Sequence, residues 1–280
     1  MTGHTIAPGD AEFVGSIPEL YDRYLGPMLF EGYAADLASR LRLPSSPLPA
    51  VLEVAAGTGI LTERLLEALP ANATLTVTDL NAPMLDVARR RVGGAASDAV
   101  TWQVADAMAL PFEDASFDAV ACQFGAMFFP DKRGAARETL RVLRPGGQWL
   151  FSVWGAWDEN PFGEIVHRTV ERFFPADPPG FYRVPFSFAD PAALRPVVEG
   201  AGFEELEIVE LDRVAESPSA RDAAVGLVRG NPLIAAIEER GTVDAEEVVQ
   251  ALAEALAARF GDHPLRHPTR IRVVSARRPS

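Results

Sequence analysis

The stretch VLEVAAGTG (residues 51–59) decides the fold. A short apolar strand, predicted over 50–55, ends in a glycine turn, and a helix predicted over 60–69 follows. Glycines at such a turn let a ligand approach the backbone closely. In open α/β sheets ligands bind at the carboxyl ends of the strands. The stretch therefore predicts a ligand-binding turn, although a tight turn without a ligand would suit the same residues.

Strands and helices alternate on the carboxyl side of this turn. We predict strands over 74–79, 100–104, 117–123 and 148–154, and a helix over 131–143 that Pro145-Gly146-Gly147 closes. Two later strands, over 203–214 and 270–278, bring the number to seven. The alternation predicts an α/β fold with a doubly wound, mostly parallel, seven-stranded sheet.

The segments outside this alternation are mostly helical. Residues 1–49 show helical spacing with a break at Gly26-Pro27. Roughly fifty mostly helical residues separate the last two strands, which is too long for an ordinary loop. We therefore divide the chain into an N-terminal helical part (1–49), an α/β domain (50–216 and 261–280) and a helical cap insert (217–260) over the ligand crevice.

Composition narrows the function classes. The 280 residues are 48% hydrophobic and 23% charged, which excludes a disordered chain. A net charge of −13 argues against a nucleic-acid surface and against docking on anionic lipid. The single cysteine, Cys122, excludes an internal disulfide and a cysteine-based zinc site, and we expect no metal. With neither a secretory signal nor a membrane-spanning run, we expect a cytoplasmic protein without membrane partners, and a homodimer is left open.

Three acidic residues stand at the carboxyl ends of successive predicted strands: Glu53, Asp79 and Asp106. The dinucleotide fingerprint requires a third glycine, but Thr62 occupies that position. Glu53 would repel a pyrophosphate and suits a cationic ammonium group instead. Asp79 can accept hydrogen bonds from ribose hydroxyls, and Asp106 could recognise an adenine amino group. The pattern favours an adenosyl ligand with an amino-acid end, although each acid alone could be a helix cap or a solvated loop charge.

Four ordered segments carry a family resemblance: EVAAGTG (53–59), TVTDLNAPML (76–85), VADAMALPFEDASFDAV (104–120) and LRVLRPGGQWLFSVW (140–154). Over about residues 50–155 the chain resembles the class I S-adenosylmethionine-dependent methyltransferases, in the methyltransferase type 11 group, and is similar to quinone-biosynthesis enzymes. The resemblance implies a Rossmann-like fold, S-adenosylmethionine as cofactor and methyl transfer to a small-molecule acceptor. Ala55-Ala56 depart from the family pattern, which usually includes glycine or cysteine there.

The resemblance also implies roles for individual residues. Residues at the methionine end, the ribose, the adenosine and the adenine are, in chain order, Glu53, Ala55, Gly57, Gly59, Asp79, Leu80, Asp106, Ala107 and Gln123. Glu53, Gly57 and Gly59 would face the methionine end, and Gln123 would lie near it. Asp79 would bind the ribose and Leu80 would pack near the adenosine. Asp106 and Ala107 would meet the adenine.

Candidates for a catalytic base are few. His167 lies on a helix predicted over 162–174, although a lone histidine there could equally be packed. Tyr21 lies in the N-terminal helical part, which in similar enzymes folds over the cofactor as a lid. A base is needed only if the acceptor must lose a proton before or during attack.

Two other functions remain open at this point. A nicotinamide-dependent oxidoreductase would use the same sheet topology, although Glu53 and the missing third glycine count against it. A cofactor-binding protein without catalysis also fits, because methyl transfer needs no diagnostic catalytic residue.

Overall fold

A computed structural model describes residues 8–44, 47–93 and 100–280. Its seven strands form one sheet in the order β3-β2-β1-β4-β5-β7-β6. The strands are β1 (Ala50–Glu53), β2 (Thr74–Asp79), β3 (Val100–Val104), β4 (Phe117–Gln123), β5 (Leu143–Trp154), β6 (Glu204–Ser217) and β7 (Leu265–Arg277).

Strands β1 to β5 are parallel, whereas β7 pairs antiparallel with both β5 and β6. The expected mostly parallel, doubly wound sheet is therefore confirmed. The strand order reverses between β1 and β4, which is where such sheets bind ligands.

Ten α-helices accompany the sheet in the part of the chain described: α1 (Ile17–Leu20), α2 (Glu31–Ser39), α3 (Ile60–Ala68), α4 (Ala82–Val92), α5 (Lys132–Val142), α6 (Pro161–Phe173), α7 (Pro191–Val198), α8 (Ala220–Arg229), α9 (Leu233–Arg240) and α10 (Ala245–Phe260). Right-handed crossovers place α3 and α4 on one face and α5 on the other, because β2 and β3 lie to one side of β1 and β5 lies to the other. None of these helices is long and apolar enough to cross a bilayer.

The predicted break at Gly26-Pro27 is wrong. Residues Tyr21–Phe30 form a π-helical stretch that joins α1 to α2 without interruption, with Pro27 inside it. The Glu31 amide donates to the Gly26 carbonyl, one residue further back than in an α-helix. The wider hydrogen-bonding pattern lets the helix pass a proline that lacks an amide proton.

Strand boundaries differ from the predictions at two places. β5 begins at Leu143, not Gln148, because Leu143 pairs with Phe117 before a register shift in β4. The Pro-Gly-Gly sequence thus lies within the strand. β7 begins at Leu265, five residues earlier than predicted, because it pairs with β6 as far as Ser217.

The helices of segment 217–260 share the hydrophobic core of the whole chain. α10 packs on α8 and α6, and α8 packs on the π-helical stretch. Val248, Leu252 and Leu256 are buried in the same cluster as the strands of the sheet. Removal of this segment would therefore uncover core residues.

Candidate active site

A cavity of about 480 Å³ opens at the carboxyl ends of the parallel strands. Its walls include residues that follow β1, β2, β3 and β4, together with the end of β5 and the N-terminal π-helical stretch. The cavity lies at the reversal of strand order and is of the size that small-molecule sites have. Most of the residues proposed from the sequence line this single space.

The glycine turn after β1 forms one wall. Gly57 has a φ of +57° and lines the cavity, and a Cβ at this position would meet no atom within 4 Å. Gly59, with a φ of +81°, serves packing instead, since a Cβ there would come within 2.9 Å of the Ala88 Cβ. Ala55 also lines the cavity, and it holds a φ of +53° although it is not glycine.

Glu53 lies fully buried beneath the turn and is not part of the cavity wall. The Thr62 hydroxyl donates to Glu53 Oε2 at 2.6 Å, while Oε1 has no hydrogen-bond partner. Burial raises the pKa of this carboxyl from 4.5 to about 8, and the nearby Asp79 charge adds to the rise. A buried carboxyl with one unpaired oxygen is a strong acceptor for any cation that reaches it.

Asp79 ends β2 and ties the site together. Its carboxylate accepts the Gly57 amide at 2.8 Å on Oδ2 and the Asn81 amide at 2.8 Å on Oδ1. Burial raises its pKa, and these amide hydrogen bonds oppose the rise. Asp79 thus holds the glycine turn while it lines the cavity, and a ribose would share the carboxylate with that turn.

The other residues predicted at the adenosyl end also line the cavity. Leu80 is 55% exposed, and Ala107 is nearly buried. Asp106 accepts the Met108 amide at 2.9 Å, which leaves its second carboxylate oxygen for a ligand. Gln123 donates to the Phe30 carbonyl at 2.9 Å, so it joins β4 to the N-terminal helix as well as lining the cavity.

The N-terminal segment covers part of the cavity. Ala11, Phe13 and Tyr21 line it. Asn81 fastens the segment, because its Oδ1 accepts the Phe13 amide at 3.1 Å and its Nδ2 donates to the Ala11 carbonyl at 3.0 Å. Burial and the nearby Asp79 charge raise the pKa of Tyr21, so its hydroxyl stays protonated.

His167 does not line the cavity. It is buried on α6, where Nε2 lies 3.0 Å from Glu171 Oε1 and the ring packs against Trp157. The structure therefore places the candidate base in a packed ion pair, which gives no support to a catalytic role.

Aromatic side chains form the other end of the cavity. They are Phe124, Phe128, Phe129, Trp154, Phe162, Phe181, Tyr182 and Phe186. Several pack on one another; Phe124 stacks on Trp154 with ring centroids 4.4 Å apart. No lysine, arginine or histidine is among the described residues that line the cavity.

Sequence reasoning missed three polar residues in the wall. Thr58 has a buried hydroxyl without a hydrogen-bond partner. Tyr182 and Asn231 meet at the aromatic end. Thr58 stands inside the glycine motif and could have been named from it. Tyr182 and Asn231 are 49 residues apart in irregular sequence, and no local pattern indicates that they meet.

Comparisons with known proteins agree with this geometry. A family model described as a methyltransferase domain matches residues 51–147. The demethylmenaquinone methyltransferase of Thermus thermophilus is 35% identical over 185 residues, which are 61% of this chain and 83% of that protein. The Brucella anthropi ubiquinone/menaquinone biosynthesis C-methyltransferase UbiE is 43% identical over 100 residues, which are 35% of this chain and only 38% of that relative.

A solved structure shows the same fold at low sequence identity. The Haemonchus contortus phosphoethanolamine N-methyltransferase 2, in complex with S-adenosyl-L-methionine, superposes with a TM-score of 0.61 at 17% identity. The match covers 94% of this chain and 57% of that one.

Proposed function

We propose, because the chain belongs to the class I S-adenosylmethionine-dependent methyltransferases related to the quinone-biosynthesis enzymes, that it transfers a methyl group to a small-molecule acceptor. The observation that carries the proposal is one continuous cavity with two chemically different ends. The strand-end acids and the glycine turn bound one end, and aromatic rings bound the other. The Thermus relative is named for demethylmenaquinone, and the aromatic end here suits an apolar acceptor.

The residues present fit S-adenosylmethionine, the cofactor of this family. Glu53 Oε1 and Thr58 Oγ1 are buried polar atoms without partners beside the turn. The open space above Gly57 lets a ligand reach the backbone. We propose that Glu53 attracts the ammonium group, that Asp79 accepts ribose hydroxyls, and that Asp106, Ala107 and Leu80 bound the adenosine.

The cofactor supplies an electrophilic methyl group on a sulfonium. The chain has to orient the acceptor toward that methyl group and exclude water, and such alignment can be worth roughly 7–11 kcal/mol of the barrier. Gln123 holds the Phe30 carbonyl, which fixes the π-helical stretch over the site. Trp154, at the end of β5, stacks on Phe124 and keeps the aromatic wall rigid.

The chain offers little for proton abstraction at the aromatic end. The ionisable residues in the described cavity wall are Tyr21, Asp79, Asp106 and Tyr182. Burial raises the pKa of both tyrosines, so neither is a base near neutral pH. Both aspartates belong to the adenosyl end. We propose that the acceptor attacks without a protein base, in contrast to the role first considered for His167 and Tyr21.

The experiment is an enzyme assay with a matched pair of variants. The protein is incubated with S-adenosylmethionine and the small-molecule fraction of a cell extract, and S-adenosylhomocysteine formation is measured. Gly57→Val should abolish turnover, because a branched side chain strains the positive φ and fills the cavity. Gly146→Val, with a φ of +73° and equally open surroundings outside the cavity, should retain it.

Equal turnover by the two folded variants would refute the placement of the cofactor at this turn. A cytoplasmic location, a homodimer, the lack of a nucleic-acid partner and the division into lid, α/β domain and cap remain predictions from the sequence.

A further inference from the structure

Tyr182 and Asn231 form the polar part of the otherwise aromatic end of the cavity. Both side chains are buried, at 5% and 4% exposed, and both line the cavity. Tyr182 lies in a short 3-10 helix after α6, and Asn231 lies between α8 and α9. Burial of two polar groups among aromatic rings is costly unless their hydrogen bonds are made.

Their donors are fully used within the protein. The Tyr182 hydroxyl donates to the Leu227 carbonyl at 2.8 Å. The Asn231 amide nitrogen donates to the same carbonyl at 2.9 Å and to the Tyr182 oxygen at 3.2 Å. Together these bonds close the carboxyl end of α8. Neither side chain has a further proton to offer a ligand.

Their acceptor capacity is only partly used. The Tyr182 oxygen accepts one hydrogen bond, and the Asn231 carbonyl oxygen accepts one, from the Leu233 amide at 3.0 Å. A phenolic or amide oxygen can accept two. The pair therefore presents unused lone pairs and no protons. A ligand that meets it gains a hydrogen bond only by donating one.

The charges around the pair lead to the same type of ligand. No cationic side chain is among the described residues of the cavity wall, so a carboxylate or phosphate group would be buried there without a counter-charge. Such a group would also face the acceptor oxygens of Tyr182 and Asn231. The aromatic end thus disfavours anions and accommodates an uncharged apolar body.

We propose that Tyr182 and Asn231 determine acceptor specificity by accepting a hydrogen bond from a hydroxyl or N–H group on a neutral, largely apolar acceptor. This inference rests on the proposed methyl transfer and adds the class of acceptor. It gives the two residues a role in addition to closing α8.

The test measures binding of three probes to protein saturated with S-adenosylhomocysteine, by calorimetry. The probes are 2-naphthol, which can donate a hydrogen bond, 2-methoxynaphthalene, which cannot, and the anion 2-naphthoate. We expect 2-naphthol to bind at least about 5-fold more tightly than 2-methoxynaphthalene, as one net hydrogen bond provides. We expect 2-naphthoate to bind most weakly.

Variants separate recognition from structural support. Asn231→Leu and Tyr182→Phe should each reduce the 2-naphthol preference towards unity, and each leaves the Leu227 carbonyl one partner. Asn160→Leu is the matched control. Asn160 is equally buried and makes three hydrogen bonds to backbone groups, but it lies outside the cavity wall. This control should keep the preference, and all three variants should bind S-adenosylhomocysteine as the wild type does.

Several results would overturn the inference: equal binding of 2-naphthol and 2-methoxynaphthalene, tightest binding of 2-naphthoate, or no binding of any probe to the cofactor-saturated protein. A loss of preference in Asn160→Leu equal to that in Asn231→Leu would assign the pair a structural role alone. S-adenosylhomocysteine binding by the wild type decides the proposed function separately, because that titration precedes the probes.

Discussion

Ala55 and Phe124 hold left-handed backbone angles, each with a φ of +53°, at the ends of β1 and β4. Non-glycine residues in this region cost about 1–3 kcal/mol and tend to persist where a site requires them. Both residues line the cavity. The strain is therefore located at the two strands between which the sheet reverses its order.

Asp79 provides the first residue-level prediction. Asp79→Asn keeps one acceptor oxygen but loses the charge and part of the support for the Gly57 amide. We expect S-adenosylhomocysteine to bind more weakly by roughly 1–3 kcal/mol, as measured by calorimetry.

Asp118→Asn is the control for this change. Asp118 is also buried and accepts a backbone amide, from Ala50 at 2.8 Å, but it lies near the opposite end of the parallel strands. Its variant should lose stability and keep its cofactor affinity. An unchanged affinity in Asp79→Asn would contradict the ribose placement.

Glu53 gives a prediction on pH. Because its folded pKa is raised from 4.5 to about 8, the folded protein keeps a proton that the unfolded chain releases between these values. The free energy of unfolding should therefore lose this contribution as pH rises from about 5 to about 8. Glu53→Gln cannot ionise and should not show the loss.

Chemical denaturation of both proteins at pH 5 and pH 8 measures the effect. Relative to the wild type, Glu53→Gln should gain at least about 1.4 kcal/mol between the two pH values, which corresponds to a shift of one pKa unit. A stability difference that stays constant with pH would show that Glu53 ionises normally in the folded state.

Residue roles could be predicted where the sequence motif is local. Gly57, Asp79, Leu80 and Asp106 lie in short strand-to-helix segments, and each lines the cavity as the motif suggested. The burial of Glu53 beneath the wall and the structural bonds of Asp79 depend on contacts across the sheet. Spacing along the chain carries no information on such contacts.

At the scale of elements, the N-terminal segment is fastened to the site through Asn81. Two hydrogen bonds from this side chain hold the Phe13 amide and the Ala11 carbonyl. We expect Asn81→Ala to increase hydrogen exchange at residues 11–20 and to speed dissociation of S-adenosylhomocysteine. Mass spectrometry of exchanged peptides and stopped-flow kinetics measure the two effects.

Asn72→Ala serves as the control, because Asn72 also bonds a backbone carbonyl, that of Pro47, but on an exposed loop. It should leave both quantities unchanged. If Asn81→Ala behaved like this control, the segment would not be a lid.

Most elements of the α/β part could be predicted because apolar runs and turn residues alternate regularly there. The π-helical stretch could not, since Gly26-Pro27 normally ends a helix and only packing against α8 and β6 keeps it continuous. The early start of β7 depends likewise on its pairing with β6. Both misses are places where tertiary contacts outweigh local preference.

At the scale of the whole molecule, one hydrophobic core joins the sheet, the N-terminal helices and the helices of residues 217–260. The cavity draws its walls from all three. Deletion of 217–260 is thus expected to lower stability as well as acceptor use. Substitutions within the cavity wall are the sharper probe of that segment.

The most direct test of the account is a calorimetric titration of the purified protein with S-adenosylhomocysteine, with NADH as the control. The cavity, its acids and the family membership predict micromolar binding of S-adenosylhomocysteine and none of NADH. A folded protein that binds NADH instead, or neither compound, would contradict the cofactor site and the methyl transfer proposed for it.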